Sequence, residues 1–312
     1  MIVFVVGTHT LAYVPLEPSL KSIVLFVVHP IAVPVFFLVD GFLFTKHCMK
    51  NKTFQYKKYI VKSAKRLLLP WVLFSFMYFL CRLLFEYTGF LSEHLVIGKS
   101  GGEILLAIYT SAIAGQMYFL LSLFFIRLLS IGVRKVILAG EQAVILLFII
   151  YLAFINNFHI SRFFFEGLDP ALHAFWGFQY YVFGIILFLF HDKVAGYARL
   201  LAFFSFIVLF VAKLTVDSTV LVQYSYILLA YTIFLSFANH ENQFSRWGKY
   251  TMGVYLLHAP ILLKIVSLLA SKISNNGPLN YFMVLGTTFV LSLIMAKILN
   301  KYAYGRFLFG NA

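Results

Sequence analysis

Apolar residues run through this chain in ten stretches, at roughly 1–14, 22–45, 67–85, 116–133, 143–159, 174–190, 200–215, 220–238, 251–270 and 281–300. Most approach the ~20 residues that carry a helix across ~30 Å of hydrocarbon at ~1.5 Å per residue. Those of 16 or 17 residues need neighbours to span. A backbone in lipid must satisfy its own hydrogen bonds, so the pattern predicts helices. The expectation is an all-α polytopic membrane protein with about ten transmembrane helices, forming one membrane-embedded domain over residues 1–312. The first stretch lacks a basic leader and a small-residue cleavage site, and so reads as a span that stays. Residues 104–114 predict an interfacial or re-entrant helix between spans.

The polar gaps orient these spans. One gap holds eight cations and no acid: Lys46, Lys50, Lys52, Lys57, Lys58, Lys62, Lys65 and Arg66. Lys and Arg accumulate in short cytoplasmic loops. With this gap inside and the spans alternating, Arg134, Lys135, Lys193, Arg199, Arg246, Lys249, Lys297, Lys301 and Arg306 also fall inside. That places 17 of the 25 cations in the cytoplasm. Only Lys21, Lys99, Arg162, Lys213 and Lys272 fall outside, and both termini become cytoplasmic.

Composition narrows the class. Hydrophobic residues make up 62% of the chain and charged residues 12%, against about 25% charged in soluble domains. The net charge of +14 would suggest nucleic acid, but the cations lie between spans, where topology accounts for them. Attraction to anionic lipid headgroups is expected instead. Cys48 lies in the basic gap and Cys81 in a span, so neither a disulfide nor a redox motif is expected. No pattern of metal ligands stands out.

A few polar residues inside the apolar stretches could carry chemistry. His9 lies five or six residues before the predicted outer end of the first span. A buried neutral imidazole is a competent general base; the alternative is a histidine hydrogen-bonded to a neighbouring helix. His29 and Asp40 share a stretch with Pro30 and Pro34, which should bend the helix and free carbonyls toward a cavity. An ionised Asp40 needs a partner, and Lys46 could reach back to it. Lys58, Lys62, Lys65 and Arg66 recur at helical spacing and share one face. Such a face could grip phosphates, or it could serve topology alone. His258 precedes Pro260 about two turns into its span, and Lys264 lies deeper. Arg82 and Arg127, near span ends, read as snorkelling.

Four segments in this order resemble the acyltransferase-3 family of integral membrane acyltransferases: VFVVGTHT with His9, AVPVFFLVDGFLF, KRLLLPWVLFS and GKYTMGVYLLHAPI. MYFLLSLF at 117–124 is a weaker fifth. The resemblance is strongest to bacterial members that O-acetylate surface polysaccharides or lipid-linked sugars. It implies that a cytoplasmic acyl-CoA, commonly acetyl-CoA, is a co-substrate and that no cofactor is held. The acceptor it implies is a hydroxyl on an extracytoplasmic glycan or lipid-linked sugar, and the location it implies is the bacterial cytoplasmic membrane. His9 matches the family's essential histidine. Arg66, with Lys62 and Lys65, matches its cytoplasmic basic motif and is expected to bind the donor. His29, Asp40, Tyr118 and His258 are expected around the substrate cavity. Asp40 stands where the family commonly has Ser, and Tyr118 where it has Trp. The family's arginine eleven residues before the histidine would lie three residues before Met1, so the natural product is expected to begin upstream. Rival readings are a transporter or polysaccharide-export component of the cell envelope, and an inactive relative.

Overall fold

The structure is a computed structural model that describes the chain except residues 51–52, 92, 158–168, 216–218, 238–246 and 311–312. Among the described residues every regular element is a helix. In chain order these are α1 (Ile2–Thr10), α2 (Pro18–Ala32), α3 (Pro34–Lys50), α4 (Tyr56–Tyr87), α5 (Gly101–Tyr109) and α6 (Tyr118–Leu128). They continue as α7 (Ser130–Ala139), α8 (Glu141–Asn157), α9 (Pro170–Leu189), α10 (His191–Gly196), α11 (Ala198–Thr215) and α12 (Thr219–Phe237). The last four are α13 (Thr251–Leu257), α14 (Leu263–Ile273), α15 (Gly277–Leu299) and α16 (Ala303–Leu308).

Among the described residues, five helical runs are long and apolar enough to cross a membrane: Pro18–Lys50, Tyr56–Tyr87, Pro170–Leu189, Thr251–Ile273 and Gly277–Leu299. Gly115–Leu128, Glu141–Ile155 and Ala198–Val211 are apolar but shorter. The predicted spans are thus only partly matched by single long helices. The stretch at 1–14 gives a nine-residue helix, about 14 Å long. Beyond Thr10 the chain continues as turns to Val14, where Pro15 disfavours helical geometry. The stretch at 116–133 is a 3₁₀ turn at Gly115–Met117 followed by α6, with a break at Leu129 before α7. Of residues 104–114 only 104–109 are helical, as part of the short α5, which opens with a capping box between Ser100 and Glu103.

Most of the described basic gap is helical. Lys46 and Lys50 end α3, and Lys57 to Arg66 form the first turns of α4. Helix α4 has 32 residues, about 48 Å of rise, so it overruns a ~30 Å core. Its buried stripe is Ser63, Leu67, Pro70, Phe74 and Tyr78, at steps of three and four. Lys57, Lys58, Lys62, Lys65 and Arg66 stay exposed on the other faces.

The tightest seam lies between α3 and α9. A Cβ on Gly41 would sit 2.0 Å from the Tyr181 carbonyl oxygen, and one on Gly184 would sit 2.0 Å from that of Leu38. One on Gly177 would strike the Phe37 ring at 2.6 Å. Where lipid offers no hydrophobic drive between helices, such close backbone approach is a main source of association. A second group packs α1 against α2, α13 and α15.

The connection after α4 is tied down by Glu86. Its buried carboxylate accepts the N–H groups of Leu95, Val96 and Ile97 at 2.9–3.0 Å and the Arg82 guanidinium at 2.6 Å. Arg82 also donates to Glu93. It is therefore paired rather than snorkelling. Lys264 sits 5.0 Å over the Phe90 ring, which gives this deep cation a partner.

Orientation is open to direct measurement. With Cys48 and Cys81 replaced, an impermeant thiol reagent on intact cells should label a cysteine at the exposed Ser100 and not one at the exposed Lys50. The reverse pattern would invert the topology drawn from the charges.

Candidate active site

Pro260 sets up the centre of the site. A proline has no N–H and pushes the residue before it out of helical geometry. Ala259 accordingly takes φ −136° and ψ 160° between α13 and α14, within a π-type turn at His258–Leu262. Carbonyls that would bond four residues ahead lose their donors, and side chains supply replacements. The Tyr78 hydroxyl donates to the Leu256 carbonyl. Gln116 donates its amide to the Ala259 carbonyl at 2.5 Å. The Tyr255 hydroxyl donates to the Gln116 backbone carbonyl. The kinked segment is thereby fastened to α4 and to the turn before α6.

His258 is fully buried at this kink. Its Nδ1 faces the carbonyls of Tyr255 at 2.8 Å and Val254 at 3.1 Å. Carbonyls only accept, so Nδ1 carries the proton. Across from it lies His9, half-buried near the end of α1, with ring centroids 5.2 Å apart and planes at 53°. Helix α1 is held there by the Tyr281 hydroxyl, which donates to the Gly7 carbonyl at 3.2 Å. A Cβ on Gly7 would come within 3.0 Å of that hydroxyl. Tyr118, at the start of α6, stacks at 4.3 Å on His173, whose Nδ1 bonds the Asp169 carbonyl at 2.9 Å.

The second part of the site lies around the foot of α4. A cleft of about 460 Å³ is lined by residues that include Asp40, His47, Tyr59, Lys58, Lys62, Arg66 and Arg127. An adjoining cleft of about 1030 Å³ is lined by Lys57, Lys58, Lys62, Lys65, Arg66 and Gly310, among others. Gly310 has φ +68° and lies so close to Arg66 that a Cβ would meet its backbone at 2.8 Å. The chain after α16 thus packs directly onto the basic face. Asp40 pairs with Arg127 through two hydrogen bonds, one of 3.1 Å between Oδ2 and Nε, and Arg127 reaches Ser63 at 3.4 Å. The side chains of Asp40 and Arg127 are 12% and 13% exposed.

This geometry corrects two expectations. The partner of Asp40 is Arg127, not Lys46. Arg127 does not snorkel, because a carboxylate one helix away satisfies it in place. The structure brings His9 together with His258. It brings Lys62 and Arg66 together with Asp40, and Lys62, Lys65 and Arg66 along one cleft. Tyr118 meets His173 instead, and His29 is exposed on α2 and lines neither basic cleft. Gln116, Tyr78, Tyr255 and His173 went unnoticed in the sequence. The one signal for Gln116 was a lone amide just before an apolar run. Among the described residues no cluster of His, Cys, Asp or Glu could hold a metal ion.

No curated protein and no solved structure matches the chain. A family model described as an acyltransferase domain, of the acyltransferase-3 type, matches residues 1–297. The match takes in His9, the basic face of α4 and the His258 kink alike, and the chain belongs to the acyltransferase-3 family of membrane acyltransferases.

Proposed function

We propose that this protein transfers an acyl group, acetyl in the simplest case, from cytoplasmic acyl-CoA to a hydroxyl of an extracytoplasmic glycan or lipid-linked sugar. The observation that carries the reading is that one bundle holds an imidazole pair, His9 and the buried His258, and a separate, strongly cationic pair of clefts, joined by the single helix α4. The clefts suit the phosphates of the donor: Lys62, Lys65 and Arg66 present ammonium and guanidinium groups along one exposed face. The imidazole suits the acceptor. His9 takes the proton of the sugar hydroxyl as its oxygen attacks the thioester carbonyl. The carbon–sulfur bond then breaks and the CoA thiolate leaves, to be protonated in turn. Holding both substrates in one bundle supplies the orientation. The cell membrane is the setting this chemistry requires, with the donor on the basic side.

Purified protein in liposomes, given radiolabelled acetyl-CoA and an envelope glycan, tests the reading directly. Label appearing on the glycan supports it. A transporter or export component would move glycan and leave the label on CoA, and that outcome would sink the proposal.

The donor clefts carry their own prediction. Changing Lys62, Lys65 and Arg66 together to Gln should raise the apparent KM for acyl-CoA about tenfold or more, since exposed charge pairs contribute up to about 1 kcal/mol each. The remaining cations of the foot keep the orientation. An unchanged KM would leave these residues with a topological role.

A further inference from the structure

His258 has a nitrogen that the fold leaves unused. Its Nδ1 proton is committed to the carbonyls of Tyr255 and Val254. With Nδ1 protonated, Nε2 of the neutral ring is a lone-pair acceptor. It is buried and has no hydrogen-bond partner among the described residues. A buried acceptor left unmade is costly, so a donor is expected to meet it. The ring facing His258 on the α1 side is His9, at a centroid separation of 5.2 Å. That separation matches two imidazole radii plus an N–H···N contact of ~2.9 Å.

We infer that His258 sets the tautomer of His9: its Nε2 accepts one His9 N–H, and the other His9 nitrogen is left with its lone pair toward the accessible side. This rests on His9 acting as the base, as proposed above. His258 is then a positioning residue, and its own proton is fixed in turn by the carbonyls of Tyr255 and Val254. The order of control runs from carbonyl to His258 to His9. The which-nitrogen question for a catalytic histidine is answered by the group its other nitrogen bonds.

Two replacements separate this role from a structural one. His258→Asn keeps an N–H donor near the position of Nδ1 and has no acceptor near that of Nε2. His258→Gln reaches the Nε2 position with an amide oxygen and gives up the Nδ1 donor. Full-length protein labelled with [¹⁵N]histidine in liposomes would be compared by solid-state NMR, with His9→Ala identifying the His9 signals. The wild type and His258→Gln should show His9 as one tautomer. His258→Asn should show two, with kcat for acetyl transfer down about 10–100-fold and KM for acetyl-CoA within about twofold, and Gln should restore much of that kcat. Rescue by Asn but not by Gln, or a single His9 tautomer unchanged in His258→Asn, would overturn the inference. The reading of His9 as base fails separately: full transfer by His9→Ala would remove the catalytic half of the inference, whatever the tautomer spectra show.

Discussion

Replacing His9 with Ala should lower acyl transfer by about 10²–10⁴-fold, the usual contribution of a general base, with the protein still present in the membrane at its normal level. The level should hold because His9 is half-buried and its side chain meets no described neighbour by hydrogen bond; its close contact is the His258 ring at 5.2 Å. Helix α1 is fastened elsewhere, through the Gly7 carbonyl and the Tyr281 hydroxyl. Initial rates with labelled acetyl-CoA, normalised to purified protein, give the number. A loss of less than about threefold would take His9 out of the proton transfer and leave it as a packing residue.

The second large effect is expected on stability. Arg127→Leu strands the Asp40 carboxylate at 12% exposure, and breaking such a pair costs about 3–5 kcal/mol. Removing both charges together, as Asp40→Leu with Arg127→Leu, should cost far less, because no uncompensated charge remains. The difference between the single and double variants is the informative quantity, read as thermal midpoints in one detergent. Additive losses would mean that the two groups do not depend on each other. The single variant should also weaken donor binding, because both residues line the smaller basic cleft.

Much of this was legible in the chain. Long apolar runs announce helices, and Pro18–Lys50, Tyr56–Tyr87 and Gly277–Leu299 lie over predicted spans. The spacing of Lys58, Lys62, Lys65 and Arg66 announced a shared helical face, and that face lines the clefts. What hydropathy cannot report is where a helix stops for local reasons. Thr10 ends α1 and Leu129 interrupts the 116–133 run, and neither leaves a polar gap. Partners distant in sequence were also hidden. Asp40 and Arg127 lie 87 residues apart, and nothing local distinguishes an arginine that will snorkel from one that meets a carboxylate. The His258 kink was half-visible: Pro260 foretold a bend, but not that Tyr78, from α4, would answer the freed Leu256 carbonyl.

Helix α4 also acts as a ruler. Arg66, at the basic foot, and Tyr78, which holds the His258 segment, lie on one continuous helix. The twelve steps between them (66 to 78) correspond to about 18 Å at helical rise. A rod fixes that spacing whatever loops around it do. A donor anchored by its phosphates at the foot can present its acyl carbon to the imidazoles only through an arm of comparable length, thin enough to pass between helices. Activated acyl groups attached directly to a phosphate are too short to satisfy both ends at once. On the proposed function, the length of one helix would discriminate among donors without a single contact to the acyl group itself.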